Sequence, residues 1–245
     1  MIIAAAQTIP VKGDIQKNIN QHLEFIKRAA KKNVDLIFFP ELSLTGYEPE
    51  LAMDLAIEIN DKRLVVFKDL SEKHQMIIAV GAPIKDNMQV NIGLIVFSPA
   101  EEPQLYTKQY LHDGEEKYFS ANANYPLQLN VKGEIINLSI CADFANPDHV
   151  KDAVAKKCTV YLVSVLISKN GLEHDSHILQ SYAADYGMTV IMANYGGISG
   201  GYDCAGHSSF WCGTSHLEDR LQSDKEGLLI ATGENGSWKT EIVNF

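Results

Sequence analysis

The stretch IIAAAQTIPVKGDIQKNINQHLEFIKRAAKKNVDLIFFPE, residues 2–41, decides the fold class. Ile2 to Gln7 is a short, nearly continuous apolar run, the pattern of a strand covered on both faces. Beyond it the period changes: Ile15, Ile19, Leu23, Ile26 and Ala30 fall on one helical face, and Asp14 stands where an N-cap is needed. Val34 to Phe39 is apolar again and is stopped by Pro40. Strand, helix and strand in this order imply right-handed crossovers and a largely covered sheet.

The same grammar continues along the chain. Helical segments are expected over about Glu50 to Ile59 and Lys62 to His74, then strands over Met76 to Gly81 and Asn91 to Phe97. After a polar, proline-containing stretch, the run Ile135 to Ile140 leads directly to Cys141. A second alternation follows, with helix at Val150 to Lys157, strand at Val160 to Leu166, helix at His174 to Tyr186 and strand at Thr189 to Asn194. Ser208 to Trp211, Leu228 to Thr232 and Trp238 to Val243 suggest short terminal strands. No repeat, low-complexity tract or linker interrupts the pattern, so residues 1–245 read as one α/β domain.

The chain of 245 residues is 46% hydrophobic and 21% charged, enough apolar matter for a sizeable core. Its 21 basic against 31 acidic residues give a formal charge of −10. No dense basic run is present, which disfavours nucleic acid and anionic membrane surfaces as partners. No apolar run reaches membrane-spanning length, and the opening MIIAAAQ lacks the basic flank of a signal peptide. Cys141, Cys158, Cys204 and Cys212 suit reduced thiols better than a disulfide framework, so a cytoplasmic location is expected.

Three positions carry candidate chemistry. Cys141 stands where a buried strand ends, a common place for active-site residues in α/β folds, although a cysteine there is more often an inert apolar residue. Glu41 lies just beyond an apolar strand and Pro40; a partly desolvated carboxylate has a raised pKa and suits general-base work. Lys108 is set among aromatic residues and followed by Glu115 and Glu116, which would keep its ammonium charged and able to stabilise an oxyanion.

Together these positions form a pattern. FPELSLTGY (residues 39–47), YTKQYLHDGEEKYF (106–119) and LSICADF (138–144) resemble the three signature segments of the nitrilase, or carbon–nitrogen hydrolase, superfamily. The resemblance extends through HILQSYAADYGMTVIMANYGG (177–197) to GHSSF (206–210), essentially the whole chain. It implies a four-layer α-β-β-α sandwich with two central mixed β-sheets. It also implies that Glu41 is a general base, Lys108 an oxyanion stabiliser and Cys141 a nucleophile, with Glu116, in preference to Glu115, orienting the lysine. The backbone N–H of Ala142 would face the oxyanion, and Tyr47 and Asn194 would contact substrate. The implied reaction is hydrolysis of a small amide or N-carbamoyl compound through a thioester, with no cofactor and no metal, in a homodimer or higher homo-oligomer.

Some positions depart from the family pattern. Ala145 stands where carboxylate-recognising members carry an arginine, which removes a bidentate partner for a substrate carboxylate; Arg63 and Arg220 are the arginines that could reach the pocket from elsewhere. Tyr182 and Asp185 occupy positions of a helix that is usually more charged. The segments Tyr47 to Met53 and Ser168 to Ser176 are expected to wall the pocket. Competing readings are acyl transfer by the same site, a catalytically dead scaffold, and a zinc module built on Cys204, His207, Cys212 and His216. The last lacks the longer finger that structural zinc sites join.

Overall fold

The computed structural model describes residues 1–213, 216–234 and 236–245, and of 216–218 the backbone alone. The first part of the chain forms β1 (Ile2–Gln7), α1 (Ile15–Lys31), β2 (Leu36–Phe38), α2 (Ala52–Leu55), α3 (Val65–His74), β3 (Ile77–Asp86), β4 (Gln89–Phe97) and β5 (Gln104–Thr107). The middle forms β6 (Gln128–Val131), β7 (Glu134–Ile140), α4 (Ala142–Ala145), α5 (Pro147–Ala155), β8 (Val160–Ser164), α6 (Leu172–Tyr186) and β9 (Thr189–Ala193). The last part holds a two-residue pair, β10 (Ile198–Ser199) and β11 (Tyr202–Asp203), then β12 (Ser209–Cys212), β13 (His216–Arg220), β14 (Gly227–Glu234) and β15 (Ser237–Asn244).

Two mixed sheets result. One runs β15-β14-β1-β2-β3-β4-β5 and the other β13-β12-β9-β8-β7-β6. The centre of each is parallel, β1 to β2 to β3 and β7 to β8 to β9, with antiparallel strands toward the edges.

Strand periodicity explains the layers. Ile3, Ala5, Leu36, Phe38, Ala79, Leu94 and Val96 join a core shared with Ile136, Leu138, Ile140 and Leu162 of the second sheet. Their neighbours Ala4, Ala6, Ile37, Ile78, Val80 and Ile95 face the other way, against Ile19, Phe25, Ile26 and Phe67 of α1 and α3. Both faces of these strands are therefore apolar, which is why their sequences read as continuous runs. Val150 and Ala153 of α5 and Leu179 and Ala183 of α6 pack on the second sheet. The order helix, sheet, sheet, helix is the expected four-layer sandwich.

Asp14 caps α1 by accepting from Lys17 N at 3.0 Å. The buried face of that helix also carries Asn18 and His22, polar residues outside the apolar stripe read from sequence. The helix expected over Glu50 to Ile59 is instead a 3₁₀ turn at Pro49–Leu51 and the single-turn α2. The backbone then extends, and Ile57 bridges to Ile84 beside β3, so a tertiary pairing overrides local helical preference. Among the described residues, no helix is long and apolar enough to cross a membrane.

Candidate active site

Two sharp turns, one after β2 and one after β7, deliver the candidate groups. At the first, Pro40 lacks an N–H and ends strand pairing, Leu42 adopts φ +54°, and Ser43 N donates to Pro40 O at 3.1 Å. This turn lies so close to β3 that a Cβ on Gly81 would stand 2.5 Å from both Pro40 O and Leu42 N. Ser43 Oγ accepts from Gly81 N at 3.0 Å and meets His22 Nε2 at 2.9 Å, while His22 Nδ1 meets Asn18 O at 2.7 Å. Burial pushes the His22 pKa down to about 3, so the ring is a neutral bridge. It stacks on Phe39 with centroids 3.9 Å apart.

The second turn places Cys141 at φ +45°, ψ −108°, outside the ordinary regions for a side-chain-bearing residue. Asp143 holds it there. One carboxylate oxygen accepts from Ile140 N at 2.9 Å and Tyr106 OH at 2.6 Å; the other accepts from Gln109 N and Tyr110 N, each at 2.9 Å. A single buried carboxylate thus ties the cysteine turn to the lysine segment, and His149 extends the network from Tyr106 to Tyr161. Ser164 joins the two turns: its Oγ donates to Phe39 O at 2.6 Å and its carbonyl accepts from Cys141 N at 3.1 Å.

Between the turns lies a dry ionic cluster. Lys108 Nζ donates to Glu41 Oε1 at 2.8 Å and lies 2.9 Å from both oxygens of Glu115. Tyr47 OH donates to Glu115 Oε1 at 2.7 Å, and His112 N donates to Glu115 Oε2 at 2.9 Å. Glu115, not Glu116, therefore orients the lysine, a correction to the sequence expectation. At about three residues per 3₁₀ turn, adjacent side chains point about 120° apart, so only one of the two can face Lys108. Glu116 is exposed and accepts from Gly114 N at 2.6 Å.

Charge states follow from the burial. Desolvation lifts the Glu41 pKa toward neutrality; Lys108 opposes this, and the Glu115 charge reinforces it. Glu41 Oε2 is buried with no hydrogen bond at ordinary distance, and the neighbouring Cys141 thiol favours its charged form, so this oxygen is available to the thiol proton. Desolvation works against the Lys108 ammonium too, yet Glu41, Cys141 and Glu115 hold its pKa above the ordinary value. Burial and the nearby Glu41 push the Cys141 thiol well above its usual range, so the resting group is a thiol that needs a base.

Glu41, Tyr47, Cys141 and Ala142 line one cavity of about 710 Å³, together with His112, Ala145, Ser168, Gly171 and Asp175. Both expected wall segments reach it, the first through Tyr47 alone and the second through Ser168, Gly171 and Asp175; Met53 is exposed elsewhere. Asn194 does not line the cavity, a second correction. Its amide is turned inward, accepting from Ile167 N at 2.8 Å and donating to Ile167 O at 3.1 Å and Gly206 O at 2.8 Å, so it fixes the strand behind the wall. His112 was missed from sequence: its Nε2 lies 3.1 Å from Cys141 Sγ.

Arg63 pairs with Asp61 at 2.6 Å, and neither it nor Arg220 lines the cavity. Of the cysteine–histidine series, Cys204 Sγ points to Tyr202 O and His207 Nδ1 meets Leu221 O at 2.8 Å, while the side chain of His216 lies outside the described residues.

Residues 2–238 match the carbon-nitrogen hydrolase family model, and the chain belongs to that family. It is 28% identical over 242 residues to the glutamine-dependent NAD(+) synthetase of Aquifex aeolicus (strain VF5), covering 93% of this chain and 41% of that protein. This chain therefore spans about two fifths of the synthetase's length. It is 26% identical over 236 residues to the 2-oxoglutaramate amidase of Bacillus subtilis (strain 168), covering 94% and 86% of the two chains. The NitN amidase of Nesterenkonia sp. AN1 shares the fold with a TM-score of 0.86 at 23% identity, covering 96% of this chain and 93% of that one.

Proposed function

We propose that this enzyme is an amidase that hydrolyses small neutral or cationic amides through Cys141, Glu41 and Lys108. The observation that carries the reading is the dry cluster in which Lys108 Nζ sits 2.8 Å from Glu41 Oε1, beside Cys141, while Glu41 Oε2 has no hydrogen bond at ordinary distance. Such a carboxylate can take the thiol proton as Sγ bonds to the amide carbon. The oxyanion that forms would meet Lys108 Nζ and the backbone N–H of Ala142. Collapse breaks the carbon–nitrogen bond, Glu41 gives its proton to the leaving nitrogen, and a thioester remains. Glu41 then takes a proton from water as the water oxygen attacks, and the acid and free thiol are released. The amidases among the similar proteins support this reaction class.

Substrate charge follows from the walls. Ala145 faces the cavity where an arginine would otherwise reach it, and the described lining residues include the acids Glu41, Asp113 and Asp175 and no Lys or Arg. A carboxylate substrate would lose hydration and meet like charge there. The test is ammonia release from a panel of neutral, cationic and carboxylate-bearing amides, N-carbamoyl amines and nitriles, with Cys141→Ala as control. Turnover of neutral or cationic amides by the parent protein alone is expected; a preference for the carboxylate member would overturn the charge assignment.

A further inference from the structure

We infer that His112 is a further catalytic residue, a second acceptor for the Cys141 thiol proton beside Glu41. The inference rests on Cys141 being the nucleophile proposed above. His112 Nε2 stands 3.1 Å from Cys141 Sγ, a close approach for a sulfur hydrogen bond, whereas the backbone acceptor of the thiol, Leu166 O, is 3.8 Å away. Although the residue as a whole is exposed at the cavity, its backbone is held twice by one partner. His112 N donates to Glu115 Oε2 at 2.9 Å, and His112 O accepts from Glu115 N at 3.0 Å. The carboxylate that positions Lys108 thus also positions the imidazole against the nucleophile.

The surroundings decide what that imidazole does. Lys108, on the same segment, opposes a positive ring, while Glu115, Asp113 and Asp175 of α6 favour one. Desolvation and Lys108 prevail and lower the His112 pKa, so at neutral pH the ring is uncharged and has a nitrogen free to accept. As the sulfur–carbon bond forms, the S–H bond breaks and its proton passes to Nε2. The imidazolium returns that proton to the leaving nitrogen as the carbon–nitrogen bond breaks, and the ring ends neutral. Because Glu41 Oε1 is occupied by Lys108, this second route leaves Glu41 Oε2 free for the water step.

Thiol alkylation tests the pair without any amide substrate. Iodoacetamide would be reacted with the whole protein from about pH 5 to 9, and adducts on Cys141 counted apart from those on the other cysteines. The parent rate is expected to rise through an inflection below the ordinary histidine value of 6.5. His112→Phe and His112→Gln should both lose that inflection and react about tenfold more slowly at neutral pH; Glu41→Gln should keep it. Gln retains hydrogen bonding but cannot titrate, so a merely structural role would be rescued by it. An inflection that persists in His112→Gln, or a rate equal to the parent's, would overturn the proposal. Failure of the amide panel with this profile intact would instead count against the amidase reading alone.

Discussion

The turn after β2 and the turn after β7 present one reactive side chain each to the same cavity, yet they are held by opposite means. The glutamate turn is fixed by close packing on Gly81 and by neutral hydrogen bonds through Ser43 and His22. The cysteine turn is fixed by an acidic side chain, Asp143, with three backbone N–H groups and a tyrosine hydroxyl on its two oxygens. Each choice suits its cargo. A further charge close to Glu41 would perturb that carboxylate, whose protonation is set by burial, Lys108 and Glu115. The cysteine turn must hold a backbone at φ +45°, and strong acceptors aimed at N–H groups can do so.

The largest effect expected separates chemistry from scaffold. Cys141→Ala should abolish amide turnover while the protein stays folded, because the covalent route loses its only sulfur. Cys158, Cys204 and Cys212 each carry a thiol away from the cavity lining, and their Ala variants should retain turnover even where stability falls. Rates and thermal melts measured together would distinguish these outcomes, and near-parental turnover in Cys141→Ala would break the assignment.

Next in size is the cation between the turns. Lys108→Met should lower kcat by about 10²–10³, the usual loss on removing one oxyanion donor. A change in KM with kcat intact would make Lys108 a substrate-binding group instead.

The two turns should then differ in stability. Asp143→Ala strands Ile140 N, Gln109 N, Tyr110 N and the Tyr106 hydroxyl, and is expected to destabilise by about 3–5 kcal/mol. Gly81→Ala forces a Cβ against backbone that cannot move aside cheaply, with a smaller penalty of about 1–3 kcal/mol. Urea unfolding would rank them, and the reverse order would mean that packing, rather than the carboxylate, is the stronger constraint.

Much of this arrangement was legible in the sequence, and the boundary has a physical cause. Apolar runs covered on both faces announce themselves, so β1, β3, β7, β8 and β9 were found, as were Glu41 and Cys141 at strand ends. Short edge elements were not: in β6 only Leu129 is buried, and β5 is four residues long. Choosing between Glu115 and Glu116 required the phase of one 3₁₀ turn, which neighbouring identical residues cannot reveal. The family resemblance implies that Asn194 contacts substrate, but which way an amide turns depends on partners elsewhere in the chain, here Gly206. His112 meets Cys141 only across the cavity, a contact set by the fold rather than by any local pattern.

The effect that is smallest at neutral pH is one of titration, and it sharpens the same contrast, since one support is a titratable ring kept neutral. The His22 pKa falls from its ordinary 6.5 to about 3 on folding, with desolvation outweighing the hydrogen bond to Asn18 O. Between those values the unfolded chain binds a proton that the folded protein refuses, so stability rises with pH across the window and is lost as pH falls from 6.5 toward 3. One such group contributes a slope of at most about 1.4 kcal/mol per pH unit. His22→Gln can still bridge Ser43 and Asn18 but has nothing to titrate. Its unfolding free energy should therefore be lower than the parent's at neutral pH, by the lost ring stacking on Phe39, and should decline less steeply in acid. Denaturant midpoints taken at several pH values for both proteins check this. Parallel declines would show that His22 is protonated in the folded protein and that the glutamate turn is held by a charge after all.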